Sequence, residues 1–383
     1  MGNNKRIAII TTSRSDWVSL GPIARQIERT PGLELILIAG AYHFVKELGY
    51  SFRDIKKEGF KRVKKVVLNQ KNYQDMFPYA NELQRKTINL LSKTRPDIVI
   101  IVGDRLEQLE CAIAAKAIDC KIVHLCGGDL SGNLDNMFRY AISALADYHL
   151  VKTRQSKNRL IARGTDRSKI AITGLPAFDF ISEIEPQLSE QALEVRFKVA
   201  AYGYFLVLFN PDDYDNDRSY LRMKSILSEL KPYTQKKIIV MPNGDSGSAG
   251  IIKAIKDVCK RDNGYAGYKS IAPEEFLLLE KYAALMIGNS SSALWEAPIF
   301  GTPAINLGSR QDKREALLGV ISKKSYSCFS PIIDKQIMLP SAARLAVAKK
   351  NRRSINMGRA SFLTVKYLKE YIDRTRGGKH ARV

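Results

Sequence analysis

The chain has 383 residues, 45% of them hydrophobic and 26% charged, and a formal net charge of +22 at pH 7. That length supports two domains, each with a full core. No apolar run reaches the roughly 20 residues that a bilayer-spanning helix needs, and the start MGNNKRIAII lacks the apolar core and cleavage site of a signal peptide, so a cytoplasmic protein is expected.

The elements read from the N-terminus alternate short apolar strands with amphipathic helices. RIAIITT is a strand, and Arg14 and Asp16 follow it. LELILIAG is the next, then a helix over PYANELQRKTINLLSK. DIVIIVG ends at Asp104 and Arg105, and the helix EQLECAIAAKAI follows. KIVHLC ends at Gly127, Gly128 and Asp129, and YHLVKT is a further strand. Pro176 and Pro186 flank a turn-rich stretch, Leu175 to Glu185, with a new helix from Ser189. In the second half YFLVLF ends at Asn210, KKIIVMP at Asn243 and Asp245, and AALMIG at Ser290, with PAINLG beyond.

Strands this uniformly rich in Val, Ile and Leu belong to parallel sheets covered on both faces. The expected fold is α/β, two Rossmann-like domains with parallel sheets and a cleft between them. Boundaries are placed at 1–178, 179–360 and 361–383. The last segment holds the helix SFLTVKYLKEYIDRT, expected to return to the N-terminal domain, and the tail RGGKHARV, expected to be disordered.

Cys111, Cys120, Cys126, Cys259 and Cys328 show no C-x-x-C spacing and are expected to be reduced packing residues. Four histidines without paired spacing argue against a zinc site, and nothing in the sequence requires a metal or cofactor. The positive charge comes without a nucleic-acid-binding motif or aromatic-basic platform, so no specific nucleic-acid partner is expected. Attraction of an anionic substrate accounts for part of it. Weak contact with an anionic membrane surface is a further candidate.

The run GNSSSALWEAPIFGTPAINLGSRQDKR, Gly288 to Arg314, carries the most chemistry. An apolar strand ends in Ser290, Ser291 and Ser292 at a helix start, with Glu296 one turn in. Free N–H groups at a helix N-terminus and the positive end of its dipole suit a phosphate. The same serines also fit an N-cap cluster opening an ordinary αβ unit.

This string resembles the nucleotide-sugar site of the hydrolysing UDP-N-acetylglucosamine 2-epimerases of the sialic-acid pathway. TTSRSDW, VGDRLEQLECAIAA, HLCGGDLSGNLDNMFRYAISALADYHLV, ITGLPAFD and MPNGDSGS resemble the same family in the same order, over roughly residues 5 to 370. The resemblance implies a glycosyltransferase-B type architecture, a UDP-sugar substrate and a homo-oligomer, dimer or tetramer. It also implies a reaction: UDP leaves C1, a proton leaves C2 to give a glycal, and water adds to release the 2-epimerised sugar for surface-glycan synthesis. In that reading Arg14, Ser290, Ser291 and Ser292 hold the diphosphate, with Arg310 and Arg314 as further cations. Glu296 takes the ribose. Asp16, Arg105, Arg139, Asn243 and Asp245 complete the substrate contacts, and Asp104, Asp129 and Asp135 handle protons.

The chain departs from the family at three places. Asn210-Pro211 stands for His-Pro, Arg139-Tyr140 for Arg-His, and Gly127-Gly128-Asp129 for Gly-Gly-Glu. Asn210 is carried as a catalytic position, although an amide has no proton to exchange near neutral pH. UDP is a good leaving group and can depart without one. Asp129 is one methylene shorter, and a misplacement of about 1 Å can cost around a hundredfold in rate. A UDP-sugar glycosyltransferase and a nucleotide-sugar-binding protein without turnover are the alternatives on this scaffold.

Overall fold

The computed structural model describes residues 4–46, 50–70, 73, 75–130, 133–212, 215–242, 247–269 and 271–377. Asn243 and Asp245 lie outside them, as does most of the RGGKHARV tail. The chain divides into two compact units, Met1–Glu183 with Ser354–Val383, and Ile184–Arg353.

The first unit runs β1 (Lys5–Thr11), α1 (Arg14–Glu28), β2 (Leu33–Gly40), α2 (Phe52–Lys57), β3 (Val63–Val66), α3 (Met76–Thr94), β4 (Ile98–Val102), α4 (Leu106–Lys116), β5 (Lys121–Leu125), α5 (Asn133–Leu145), β6 (Tyr148–Val151), α6 (Arg154–Ala162), β7 (Ile170–Ile172) and α7 (Ala177–Ile184). The second runs α8 (Glu190–Phe197), β8 (Tyr204–Leu208), α9 (Asn216–Leu230), β9 (Lys236–Val240), α10 (Ser248–Cys259), β10 (Tyr265–Tyr268), α11 (Pro273–Tyr282), β11 (Leu285–Gly288), α12 (Ser291–Ile299), β12 (Ala304–Leu307), β13 (Val320–Lys323), α13 (Ser330–Ile337) and α14 (Ser341–Ser354). The chain then returns to the first unit with α15 (Ala360–Gly377). Helix α7 runs unbroken through positions 178 and 179, so the division between units falls at its end.

Both sheets are parallel. Their strand orders are β3-β2-β1-β4-β5-β6-β7 and β10-β9-β8-β11-β12-β13. Central strands are buried on both faces because successive side chains feed different cores. On β1, Ile7 and Ile9 join Ile23 and Ile27 of α1, while Ala8 and Ile10 join Leu83 of α3 and Ala112 of α4. In the second unit Phe205 and Val207 of β8 pack with Met223, Ile226 and Ile251 of α9 and α10.

The sequence leaves four strands unread: β3, β7, β10 and β13. All four are sheet edges. An edge strand is short and partly solvated, so its apolar run is broken, as in VKKV and VISK. The cysteines divide: Cys111, Cys120 and Cys126 are buried, Cys259 is half-buried, and Cys328 is exposed, which corrects the expectation of packing for that residue. All five carry free thiols. No helix among the described residues is long and apolar enough to cross a membrane.

Val365, Leu368 and Ile372 of α15 enter the core beside α1. The Asp179 carboxylate caps this helix, accepting from the backbone N–H of Ala360 at 3.1 Å and of Ser361 at 2.7 Å. Leu368 is fully buried, so Leu368→Ala should cost about 2–5 kcal/mol. Urea denaturation checks this; a loss near zero would mean that α15 contributes little to the first unit.

Candidate functional site

In an open parallel sheet, ligands bind beyond the carboxyl ends of the strands where the strand order reverses, because neighbouring connections leave there in opposite directions. The reversal falls between β1 and β4 in the first unit and between β8 and β11 in the second. The sequence motifs sit at both.

In the first unit Ser13 caps α1. Arg14 is exposed in its first turn. Asp16 turns inward: its Oδ2 accepts from the Thr12 N–H at 2.9 Å, the Thr12 hydroxyl at 2.6 Å and the Gln108 amide at 3.0 Å. Arg105 stands across the reversal with its guanidinium over the Tyr42 ring at 5.1 Å and its Nε donating to Glu107 at 3.1 Å. Burial opposes the Arg105 charge, but Glu107 and Asp16 outweigh it and hold the side chain more firmly protonated than usual. Ser13, Arg14, Tyr42, Ser51, Tyr73 and Arg105 line a cavity of about 420 Å³. Two guanidiniums among hydroxyls suit an anionic, hydroxyl-rich ligand.

Asp104 pairs with Arg139, which also donates to the Cys126 carbonyl at 2.7 Å. Arg139 thereby ties the turn after β4 to the turn after β5. Beneath them the buried His124 ring joins its Nε2 to the Gly103 carbonyl at 2.9 Å and its Nδ1 to the Ser143 hydroxyl at 3.0 Å. Burial lowers its pKa to about 3, so it is neutral, and the carbonyl fixes the proton on Nε2.

Asp129 is gripped by Lys152 at 2.7 Å and by the Ser156 hydroxyl at 2.5 Å. Burial would raise its pKa, but Lys152, Arg139 and Ser156 together hold it below the usual carboxylate range. Gly128 permits this grip: its φ is +74°, and a Cβ there would lie 2.2 Å from the Ser156 carbonyl. Tyr140 lies under the Arg163 guanidinium, 3.4 Å from the ring centroid. Asp135 is exposed in the first turn of α5.

In the second unit the register pairs Leu208 with Gly288, which brings the residues after β8 beside those after β11. Asn289 uses its whole amide there. Its Oδ1 accepts from the Asn210 N–H at 2.7 Å, and its Nδ2 donates to the Asn210 carbonyl at 2.8 Å and to Asp212 at 2.6 Å. Gln311 closes the ring by donating to the Asn289 carbonyl at 2.8 Å. Asp212 also takes the Tyr326 hydroxyl. It rests on Gly308, whose φ is +78° and where a Cβ would meet the carboxylate at 2.1 Å.

Ser290 caps α12, accepting from the Ser292 N–H at 3.3 Å and the Ser292 hydroxyl at 2.9 Å. Ser291 is exposed at the helix start. Burial pushes the Glu296 carboxyl up to about 7. Arg310 is exposed and Arg314 half-buried in the segment after β12. The second-unit cluster is therefore a capped helix N-terminus beside an asparagine-centred network, with Arg310 and Arg314 on the segment after β12 that carries Gln311.

Sequence reasoning missed Lys152, His124, Gln108, Asn289 and Gln311. Lys152 and Asn289 carried the signal used elsewhere, a polar residue at a strand end. Gln108 and Gln311 carried none, since a buried glutamine is visible only once its neighbours are placed.

The profile of the UDP-N-acetylglucosamine 2-epimerase family matches residues 25–338. A UDP-N-acetylglucosamine 2-epimerase of Neisseria meningitidis is 32% identical over 323 residues, 81% of this chain and 81% of that protein. A hydrolysing GDP/UDP-N,N'-diacetylbacillosamine 2-epimerase of Campylobacter jejuni is 28% identical over 331 residues, 84% of this chain and 85% of its own. The solved UDP-GlcNAc 2-epimerase from Neisseria meningitidis, bound to UDP-GlcNAc, shares the fold with a TM-score of 0.77 at 16% sequence identity, covering 95% of this chain and all of that one. A match across both parallel-sheet units, with polar motifs at both strand-order reversals, leaves one assignment: the chain belongs to the UDP-N-acetylglucosamine 2-epimerase family.

Proposed function

We propose that the chain is a hydrolysing 2-epimerase that converts UDP-N-acetylglucosamine, or a close variant of it, and water into UDP and the 2-epimerised N-acetyl sugar. The observation that carries this reading is the Ser290-capped α12 at the β8/β11 reversal, a ready-made diphosphate site. The names of the relatives support the reaction.

The N–H groups at the start of α12 and the hydroxyls of Ser290, Ser291 and Ser292 hold the diphosphate, assisted by Arg310 and Arg314. Glu296 accepts from the ribose. Arg14 and Arg105 offer further cations to the substrate, and Asp16 positions the turn that carries Arg14 rather than touching the ligand. The C1–O bond breaks first and its electron pair leaves with UDP. The positive charge developing at C1 acidifies the C2 proton, so a weak carboxylate base suffices. Asp104 takes that proton, and water then adds at C1 while a proton returns to C2 on the opposite face. Asp129, held ionised by Lys152, orients Arg139 and the loop above it; Asp135 is the exposed candidate for returning the proton. The balance needs no redox cofactor. A homo-oligomer, dimer or tetramer, in the cytoplasm completes the reading, with the +22 charge drawing in the anionic substrate and touching anionic membranes weakly.

The deciding experiment incubates the full chain with UDP-N-acetylglucosamine and, in parallel, UDP-N,N'-diacetylbacillosamine. UDP release is followed by a coupled assay and the freed sugar is identified directly. UDP binding with no epimerised sugar from either substrate would overturn the proposal.

Ser290→Ala and Glu296→Ala should each weaken UDP binding about tenfold, or ~1.4 kcal/mol, measured by calorimetry; unchanged affinity in both would remove UDP from this position. Asp104→Asn keeps the shape and removes the base. Turnover should drop at least about a hundredfold with UDP affinity within about twofold, and near-normal turnover would leave Asp104 as a partner for Arg139 alone. The native chain should release UDP from UDP-N-acetylglucosamine well below the roughly 10 per second typical of enzymes, and Asn210→His should accelerate it. Robust native release would show that the amide costs nothing.

A further inference from the structure

No Asp or Glu occurs between Asp334 and Glu370. Within the second unit that stretch covers the end of α13 and α14 as far as Arg353, and it carries Lys335, Arg344, Lys349, Lys350, Arg352 and Arg353. Helix α14 is fixed by one face. Ala348 and Asn351 are buried there, and the Asn351 amide donates to the Pro298 and Leu318 carbonyls, each at 2.9 Å. Arg352 donates to the Ile299 carbonyl at 2.7 Å and to both oxygens of Glu185 at 2.9 and 2.6 Å, so its charge is answered. Lys335, Lys349, Lys350 and Arg353 are exposed and have no ion-pair partner among the described residues.

Residues four apart share a row on a helix surface. Leu345, Lys349 and Arg353 form one row of α14, Ala342, Ala346 and Lys350 the next, and all six are exposed. The apolar end of these rows is enlarged by neighbours. Leu345 is 67% exposed, Met338 just after α13 is 79% exposed, and Tyr202 is 51% exposed. Arg344 ties the three together. Its backbone N–H donates to the Pro340 carbonyl at 3.2 Å, its Nη2 to the Gln336 carbonyl at 3.3 Å, and its guanidinium stands over the Tyr202 ring at 5.5 Å. A single exposed Leu needs no explanation. Exposed apolar side chains beside unanswered cations suit a lipid interface, where the former enter the acyl boundary and the latter meet the headgroups. A nucleic acid would answer the cations but would give Met338 and Leu345 no apolar phase to enter.

We infer that the exposed face of α14, with the Met338 turn and Tyr202, is a docking surface for an anionic lipid bilayer. The inference rests on the weak membrane contact in the proposed function and gives that contact a place. Met338 and Leu345 enter the boundary of the acyl chains, and the amphipathic Tyr202 ring lies at headgroup level. Lys349, Lys350 and Arg353 meet the anionic headgroups, and each basic residue near such a surface strengthens binding about fivefold. Helix α14 packs on Pro298 and Ile299, at the C-terminal end of α12, whereas the proposed diphosphate site is at the Ser290 end. The docking face is on the far side of α14 from α12, so the Ser290 end stays uncovered.

The experiment sediments the full chain with phosphatidylcholine vesicles, with and without phosphatidylserine. It compares the native chain with a charge variant, Lys349→Gln with Lys350→Gln and Arg353→Gln, and an apolar variant, Met338→Ser with Leu345→Ser. All five positions are exposed, so melting temperatures should stay within about 2 °C of the native value. The native chain should bind the phosphatidylserine vesicles and not phosphatidylcholine alone. The charge variant should bind them about a hundredfold more weakly, and the apolar variant about tenfold more weakly. Raising salt from about 0.1 M to about 1 M should remove most of the native binding, because the screening length falls from about 10 to about 3 Å. If the native chain binds and both variants bind equally well, the membrane contact stands but α14 is not its place, and the inference is overturned. If the native chain binds neither vesicle, the membrane contact and the inference fall together. If only the charge variant loses binding, the surface takes a polyanion without insertion, and the assignment to lipid fails. Sedimentation velocity without vesicles decides against a second copy of the chain: a smaller species for the apolar variant than for the native chain would make this face a subunit interface and overturn the inference.

Discussion

The reversal of strand order beside β1 and beside β8 is the constraint on which everything else in this chain depends. A parallel sheet forces each connection to cross a face, and its helices leave in opposite senses on either side of the reversal. A crevice must open at that point, walled by the last residues of two strands and the first turn of the helix that follows each. The apolar strand interiors have no freedom to carry chemistry, since Ile7 to Ile10 and Phe205 to Val207 are packed on both faces. Polar function is pushed to the strand ends. There the unpaired N–H groups of helix N-termini are already waiting for an anion.

Strand ends must nevertheless be kept in shape, and the chain does this with buried polarity that is paired. Arg139 spans Asp104 and the Cys126 carbonyl, Lys152 and Ser156 grip Asp129, and Asn289 engages both its amide N–H groups and its amide oxygen. Each arrangement offsets the desolvation of one group with the charge or dipole of another. Glu280 breaks that pattern. Its carboxyl is buried with no cation beside it among the described residues, and burial pushes its ionisation well above the usual carboxylate range.

What was legible in the sequence follows from the same physics. The nine interior strands announced themselves because burial on both faces demands unbroken apolar runs. The edge strands β3, β7, β10 and β13 did not, because one side of each faces no strand and the pattern dissolves. Ser290 was legible because a cap is a local matter of three residues. Gln108, which holds Asp16 from ninety-two positions away along the chain, was not, because its role exists only when β1 and β4 lie side by side. Asp16 was placed correctly at a strand end, yet only the assembled turn shows its carboxylate facing Thr12 and Gln108 rather than the cavity.

Asn210 illustrates how a strand end can be held through its backbone. Both backbone groups of that residue are tied to Asn289, and Asn289 is in turn fixed by Gln311 and shared with Asp212. None of these bonds involves the side chain at position 210. The backbone at position 210 is therefore held by Asn289 through groups that any residue but proline carries, two residues beyond the Leu208–Gly288 pair of the β8–β11 register. In the proposed reading, a titratable ring can give way to an amide here while these backbone bonds and the proposed diphosphate site beside them are kept. In that reading the nucleotide half of the reaction is inherited from the family and the sugar half is free to diverge.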